Sequence, residues 1–447
     1  MLLAIMGYVV FALMIYLLMS EKAHVIVAFA LVPVVGCVLA GIPVASISAY
    51  ALSGIGKVST TIVMLIFAVL YFALMNDTGM FEGAVNKLAA KAGDNVVAVA
   101  IVTAFIAALG HLDGASASTV LITVPLMMPI YKRLHMRMEL LLFITGLSMA
   151  FMTFVSWNGS TAKAAVTLGI SATTLWHDFV PTQIVTFVVA IIAAGFFGFK
   201  EKQRIVRLGL AEGGASADLG IGIDEKGGVA GNPEEGKVLT ERQKKLVPVN
   251  VILTIIIIVA VIVKLMDSAV LFMLGTCIAL IINYPKVKEQ QAVIKKYASL
   301  ALITGIACMA AGVMIGTVSD SGMLQAMVEI LIKILPNVIS ENLQVLMGII
   351  SLPLGAATGM TGFYLGIMPF IVALGEQVGI ASQNMFIWAA IGEHFGEFLH
   401  PALPGVILAL GLTEVSYGDH LKFSFLKTWA IAIICLVIAV IMGQAVI

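Results

Sequence analysis

The run IGEHFGEFLHPALPG (391–405) sets Glu393, His394, Glu397 and His400 into a segment that is otherwise apolar and ends at two prolines. Residues 393, 397 and 400 share one face if the run is helical. Carboxylates and imidazoles can be tuned to exchange protons near neutral pH. They also bind divalent ions, and Glu393, Glu397 and His400 are the residues that would hold one. A third use is a hydrogen-bonded network bracing a break in the helix. The spacing at 394–400 is H-x-x-E-x-x-H, not the H-E-x-x-H that places two imidazoles one turn apart beside a general base.

Three further stretches carry polar groups in apolar surroundings. SWNGSTAKAA (156–165) offers Asn158, Gly159, Ser160, Thr161 and Lys163. GHLDGASAST (110–119) offers Asp113, Gly114, Ser116, Ser118 and Thr119, with His111 as a hydrogen-bonding neighbour. LGAATGMTGFYLG (354–366) offers Thr358, Gly359 and Thr361 without any charge. Free N–H groups at the start of a helix suit an anion such as a carboxylate. Asp113 either caps such a start or holds a cation or proton. Lys163 needs an anion, which is an internal carboxylate such as Asp113 or Glu393, or the carboxylate of a solute.

The elements that must position these groups follow from composition. Hydrophobic residues make up 61% of the chain and charged ones 11%, against about 25% charged in soluble domains. The chain is therefore a polytopic membrane protein. An ionisable side chain at bilayer depth costs about 2.5–3.5 kcal/mol, so those above point to function. Cys37, Cys277, Cys308 and Cys435 lie in apolar runs and match no metal or redox spacing. The apolar start lacks a basic lead and a cleavage site and reads as a first membrane helix.

Spans are expected near 2–20, 24–41, 58–76, 138–170, 181–199, 247–264, 268–284, 297–318, 384–412 and 425–446. The apolar stretches 95–131 and 339–375 are each interrupted at mid-length by small polar residues and read as re-entrant hairpins. FALMNDTGMF (72–81) resembles IGTVSDSGML (315–324), pairing Asp77 with Asp320. The expected fold is all-α, with two inverted repeats of five transmembrane helices plus one re-entrant hairpin each. The first repeat is 1–199, the second 247–447, and 200–246 is a polar cytoplasmic linker. Inverted repeats whose broken helices meet near the midplane are a signature of secondary transporters. Asp77, Asp320, His177–Asp178 and Asp419–His420 read as caps at helix boundaries.

Basic residues test the topology. With the termini outside, only Lys57, Lys264 and Lys333 face outward and Lys163 lies within a span. Every other Lys and Arg, including Lys22, Arg133, Arg137, Lys288 and Lys427, falls on the cytoplasmic side, as the positive-inside rule requires. Reading either hairpin as two full spans scatters these clusters. The localisation expected is the inner (plasma) membrane.

MLIFAVLYFALMNDTGMF (64–81), LDG with the hydroxyls that follow it, LITVPLMMPIYKRLHM (121–136), IINYPKVKEQ (281–290) and FYLGIMP (363–369) together resemble the citrate–divalent-metal:proton symporter family of the ion transporter superfamily. The resemblance covers nearly the whole chain. It implies a homodimer, an elevator-like shift of a transport domain against a scaffold, and proton-coupled uptake of a polycarboxylate, often as its metal complex. The chain departs from the family pattern where solute would sit. Ala115 stands for the second Asp of Leu-Asp-Gly-Asp-Gly, Gly359-Met360-Thr361 for Ser-Asn-Asp, and Lys163 for a usual Arg. Lysine meets a carboxylate as a point charge, which suits a smaller or less charged anion.

The expected function is thus proton-coupled transport of a small organic anion. Asp113, Gly114, Ser116, Ser118, Thr119, Asn158, Gly159, Ser160, Thr161, Lys163, Thr358, Gly359 and Thr361 would bind solute. Glu393, His394, Glu397, His400 and Asp113 are the coupling candidates. No cofactor and no nucleic-acid partner is expected; a co-transported Mg²⁺ or Ca²⁺ is left open. A cation/proton antiporter on the same scaffold is the near alternative, and an intramembrane metalloenzyme the remote one.

Overall fold

The computed structural model describes residues 1–20, 22–210 and 241–447, and helix is the only regular structure among them. The chain runs α1 (Leu2–Met19), a π turn (Val27–Leu31), α2 (Val32–Leu39), α3 (Val44–Asp77), α4 (Glu82–Ala92), α5 (Val96–Gly110) and α6 (Ser116–Arg133). It continues with α7 (Met138–Met152), α8 (Gly159–Leu168), α9 (Ala172–Arg207), α10 (Glu241–Ile262), α11 (Ser268–Asn283) and α12 (Val287–Asp320). Then come α13 (Met323–Ile334), α14 (Asn337–Glu341), α15 (Leu343–Thr361), a π turn (Gly362–Ile367), α16 (Met368–Gln377), α17 (Ser382–Gly396), a 3₁₀ turn (Glu397–Leu399), α18 (Pro404–Thr413) and α19 (Tyr417–Ile441). The expected linker 200–246 is helical at both edges, since α9 runs on to Arg207 and α10 starts at Glu241; its middle, 211–240, lies outside the described residues.

Among the described residues, six helical stretches are long and apolar enough to cross a membrane, one of them the second interrupted segment Leu343–Gln377, or seven if the bent pair Ser382–Leu399 and Pro404–Thr413 counts as one. This is fewer than the ten spans expected. Helices Leu2–Leu18, Val27–Leu39, Met138–Met152 and Ser268–Asn283 are apolar but short. The apolar run 138–170 is divided because Asn158 caps a new helix at its centre.

The α3–α12 pair forms the spine. The two helices are antiparallel, with Tyr50 beside Gly316, Gly54 beside Gly312 and Ile66 beside Gly305. A methyl group on Gly54 would lie 1.9 Å from the Gly312 carbonyl oxygen, and one on Gly316 would lie 2.0 Å from that of Tyr50. Small residues four apart let membrane helices approach backbone to backbone. Each end of the crossing is tied by an ion pair: Lys57 meets Asp320 at 3.1 Å, and Lys296 meets Asp77 at 2.8 Å. Tyr284 and Tyr297 also donate to Asp77. Asp77 and Asp320 therefore join helices and are not caps as the sequence suggested.

Both interrupted segments fold back on themselves. In the first, α5 and α6 lie side by side, and at the open end Arg133 reaches Asp94 at 2.7 Å. In the second, α15 runs parallel to α17: Gly348 packs on Trp388, Ser351 on Gly392 and Leu352 on Gly396. Helix α17 starts where α16 has ended, and Ser382 donates to Glu376 at 2.8 Å. The start of α15 and the end of α16 consequently lie at the same level.

If backbone proximity sets the spine, Gly54→Ala should lower thermal stability by about 1–3 kcal/mol through overpacking. Gly56→Ala, whose methyl meets nothing within 4 Å, should leave the melting temperature unchanged or higher. Thermal unfolding of the purified variants in detergent reads both.

Candidate solute site at four helix breaks

Each break is built by residues that satisfy the backbone groups it frees. At the first tip the chain turns at Gly114, where φ is +72°. Asp113 accepts from the Ala115 N–H at 2.9 Å and from the Ser118 hydroxyl. Both its oxygens thus serve the turn, which fits the cap role. His111 is fully buried and bonds Thr119 at 2.7 Å.

In the first broken span Asn158 caps α8, accepting from the Ser160 N–H at 2.9 Å. Thr161 donates to the Thr153 carbonyl at 2.9 Å, and Gln183 of α9 donates to that of Phe151 at 3.1 Å. The second broken span is served likewise from α19. Tyr417 donates to the Leu399 carbonyl at 2.9 Å, and the His420 ring meets that of Phe398 at 3.0 Å. His420 thus braces the break; Ser416 is the cap of α19, and Ser171 that of α9. His177–Asp178 lies inside α9 and supplies no cap, whereas Asp419 takes part in the expected one, donating its N–H to the Ser416 hydroxyl and accepting from it at 2.6 Å.

The four breaks touch. Trp157 donates to the Leu112 carbonyl at 2.8 Å, joining the first break to the first tip. Ser116 accepts from the Gly405 N–H at 3.2 Å, joining the first tip to the start of α18. The Ser160 hydroxyl reaches the Met360 sulfur at 3.1 Å, joining the first break to the second tip. The His400 ring bonds the Ala356 carbonyl at 3.0 Å, joining the second break to the second tip. At that tip Gly359 adopts φ 67°, ψ 165°, and Thr358 donates to Leu354 at 2.8 Å; Thr361 follows it on the turn.

Lys163 projects from α8 within this ring and is only 6% exposed. A methyl on Gly159 would lie 3.5 Å from its ammonium and equally far from the Met360 sulfur. Among the described residues no carboxylate comes within the 4.0 Å of an ion pair with it. Glu397, Cys308 and Glu393 stand in electrostatic reach, Glu397 most strongly. Glu393 and His394 are buried, and among the described residues none of their side-chain polar atoms finds a hydrogen-bond partner. Tyr364 faces Glu393 without meeting hydrogen-bond geometry. The His394 ring packs at 4.3 Å against Phe154. Glu397 has one weak contact, from Thr153 at 3.4 Å.

The shared helical face expected for Glu393, Glu397 and His400 breaks down because α17 ends at Gly396 and tightens into a 3₁₀ turn. His400 then leans onto the second tip. Among the described residues no three His, Cys, Asp or Glu side chains gather to hold a metal ion, which corrects that candidate trio. Met360, Tyr364, Thr153 and Cys308 enter the site without having been singled out in the sequence, since an apolar or hydroxyl residue in an apolar run carries no local signal.

A fold of apolar helices with paired hairpins and interrupted spans defines a multi-pass membrane protein. The profile described as citrate transporter (CitMHS) matches residues 8–392. A Bacillus subtilis (strain 168) protein named "Citrate transporter" is 30% identical over 443 residues, covering 99% of each chain. The "Mg(2+)/citrate complex secondary transporter" of the same organism is 28% identical, covering 99% of this chain and 98% of that one. Among solved structures, the Alcanivorax borkumensis YdaH transporter is similar at a TM-score of 0.45 and 13% identity, covering 88% of this chain and 87% of the other. The chain belongs to the citrate transporter family, whose named relatives here are transporters and not enzymes.

At the second tip, Gly359→Ala should cost about 1–3 kcal/mol, because its backbone region is open essentially to glycine alone and the methyl would stand 2.9 Å from His400 Nε2. Gly366→Ala, with open space around it, should cost little. Melting temperatures of the two variants check this.

Proposed function

We propose that the protein is a secondary active transporter that takes up a small organic anion, a di- or tricarboxylate of the citrate kind, together with protons. The observation that carries this reading is the meeting of four helix breaks around Lys163. One cation and the starts of α6 and α8 supply what carboxylates bind. Asn158, Gly159, Ser160, Thr161, Lys163 and the two tips hold the solute. Glu393, Glu397, His394 and His400 remain the coupling groups, with Asp113 the weaker candidate because its turn already engages it.

The architecture behind this reading is a pair of inverted repeats, α1–α9 and α10–α19, completing ten spans and two re-entrant hairpins. Supporting it, α3 and α12 are each 34 residues long and exchange equivalent ion pairs, Asp77–Lys296 and Asp320–Lys57. The hairpins and broken spans form the body that moves in an elevator-like shift against α1–α3 and α10–α12, within a homodimer. The termini face outward from the inner (plasma) membrane and the 200–246 linker lies in the cytoplasm. The name of one relative, a Mg(2+)/citrate transporter, supports a divalent cation travelling with the solute as cargo.

Uptake by proteoliposomes under an imposed inward pH gradient tests the proposal. Radiolabelled citrate or succinate should accumulate, collapse with a protonophore, and fall to background in Lys163→Ala. If no carboxylate of a broad panel moves, or Lys163→Ala transports normally, the assignment fails. Proton efflux driven by external cations without any organic anion would favour an antiporter.

A further inference from the structure

Resting on that reading, we infer that Glu397 and the solute's carboxylate compete for the charge of Lys163, so that the arrival of solute moves a proton onto the Glu393–Glu397 pair. Two buried carboxylates share one buried lysine here, and among the described residues none of the three has an ion-pair partner. Lys163 is therefore the main support for negative charge on Glu397, and it supports Glu393 alongside the Tyr364 hydroxyl. Once a solute carboxylate takes that support, the glutamates hold uncompensated charge away from water, the costliest arrangement for a buried group.

Hydrogen bonding gives an ionised Glu397 little support. The Thr153 hydroxyl has one proton, and its better acceptor is the Met149 carbonyl at 2.8 Å, against 3.4 Å to Glu397 Oε2. Thr153 thus gives its proton chiefly to the backbone and makes only a long, weak donation to Glu397, so an ionised Glu397 finds a poor donor there. The other titratable groups around the pair are Tyr364 on the π turn, Cys308 on α12 and His394 on α17. The His394 nitrogens have no partner to relay a proton, and His400 is turned to the second tip. The proton comes from water or buffer acid on the open side: an O–H bond of that donor breaks, leaving hydroxide or the buffer base in solution, and an O–H bond forms on a glutamate oxygen.

The test uses purified full-length protein in weakly buffered detergent solution near pH 8, where succinate is a dianion, with a pH indicator. Succinate binding, followed by thermal shift, should take up about one proton per site, and its affinity should tighten about tenfold per pH unit lowered, as linkage requires. Glu397→Gln should bind succinate with that slope flattened and the proton uptake gone. Binding without proton uptake in the unsubstituted protein, or undiminished uptake in both Glu397→Gln and Glu393→Gln, overturns the competition and leaves carboxylate binding standing. If neither succinate nor citrate binds the unsubstituted protein, the carboxylate reading falls, and the competition with it.

Discussion

A peptide group released from helical bonding has no water to turn to inside hydrocarbon, and everything distinctive about this fold follows from meeting that demand at four places. Unpaired backbone groups there cost several kcal/mol each. The chain answers with side chains from the interruption itself, such as Thr161, and with others imported from neighbouring helices: Gln183 at one interrupted span, Tyr417 and His420 at the other. The imported contacts also hold the neighbours in place. The contacts Trp157–Leu112, Ser116–Gly405, Ser160–Met360 and His400–Ala356 are the consequence. The proposed solute site is the space such interruptions enclose, and helix starts there would favour an anion.

The spine and the site obey opposite rules. Between α3 and α12 the small residues remove side chains altogether, and backbones pack directly with ion pairs at both ends. Around Lys163 polar groups are buried but left short of partners. A protein pays for such deficits only where something else completes them. The contrast agrees with the proposal that the pair is framework and the ring of interruptions the working surface.

Much of this was legible in the sequence. Small polar runs inside apolar segments located all four interruptions, and Gly114, Asn158 and Gly359 occupy the turning points that their types suggest. The family resemblance rested on whole segments and held. Three things were hidden. Helix ends were misjudged where apolar runs continue as exposed helix, as at α3, which begins at Val44 and not near residue 58. The roles of Asp77 and Asp320 depend on partners more than two hundred residues away. The expected face shared by Glu393, Glu397 and His400 assumed a continuous helix, and the 3₁₀ turn at Glu397–Leu399 re-aimed His400. Tyr364, Met360 and Thr153 gave no signal, since only their placement opposite charged groups makes them matter.

The most direct check on the central claim is an experimental density map of the protein in a bilayer mimic with a bound di- or tricarboxylate. The account requires that 95–131 and 339–375 each return to the side from which they enter, and that ligand density sit against Lys163 between the two tips. A map in which either segment passes through to the opposite side, or in which the anion lies away from Lys163, would contradict it.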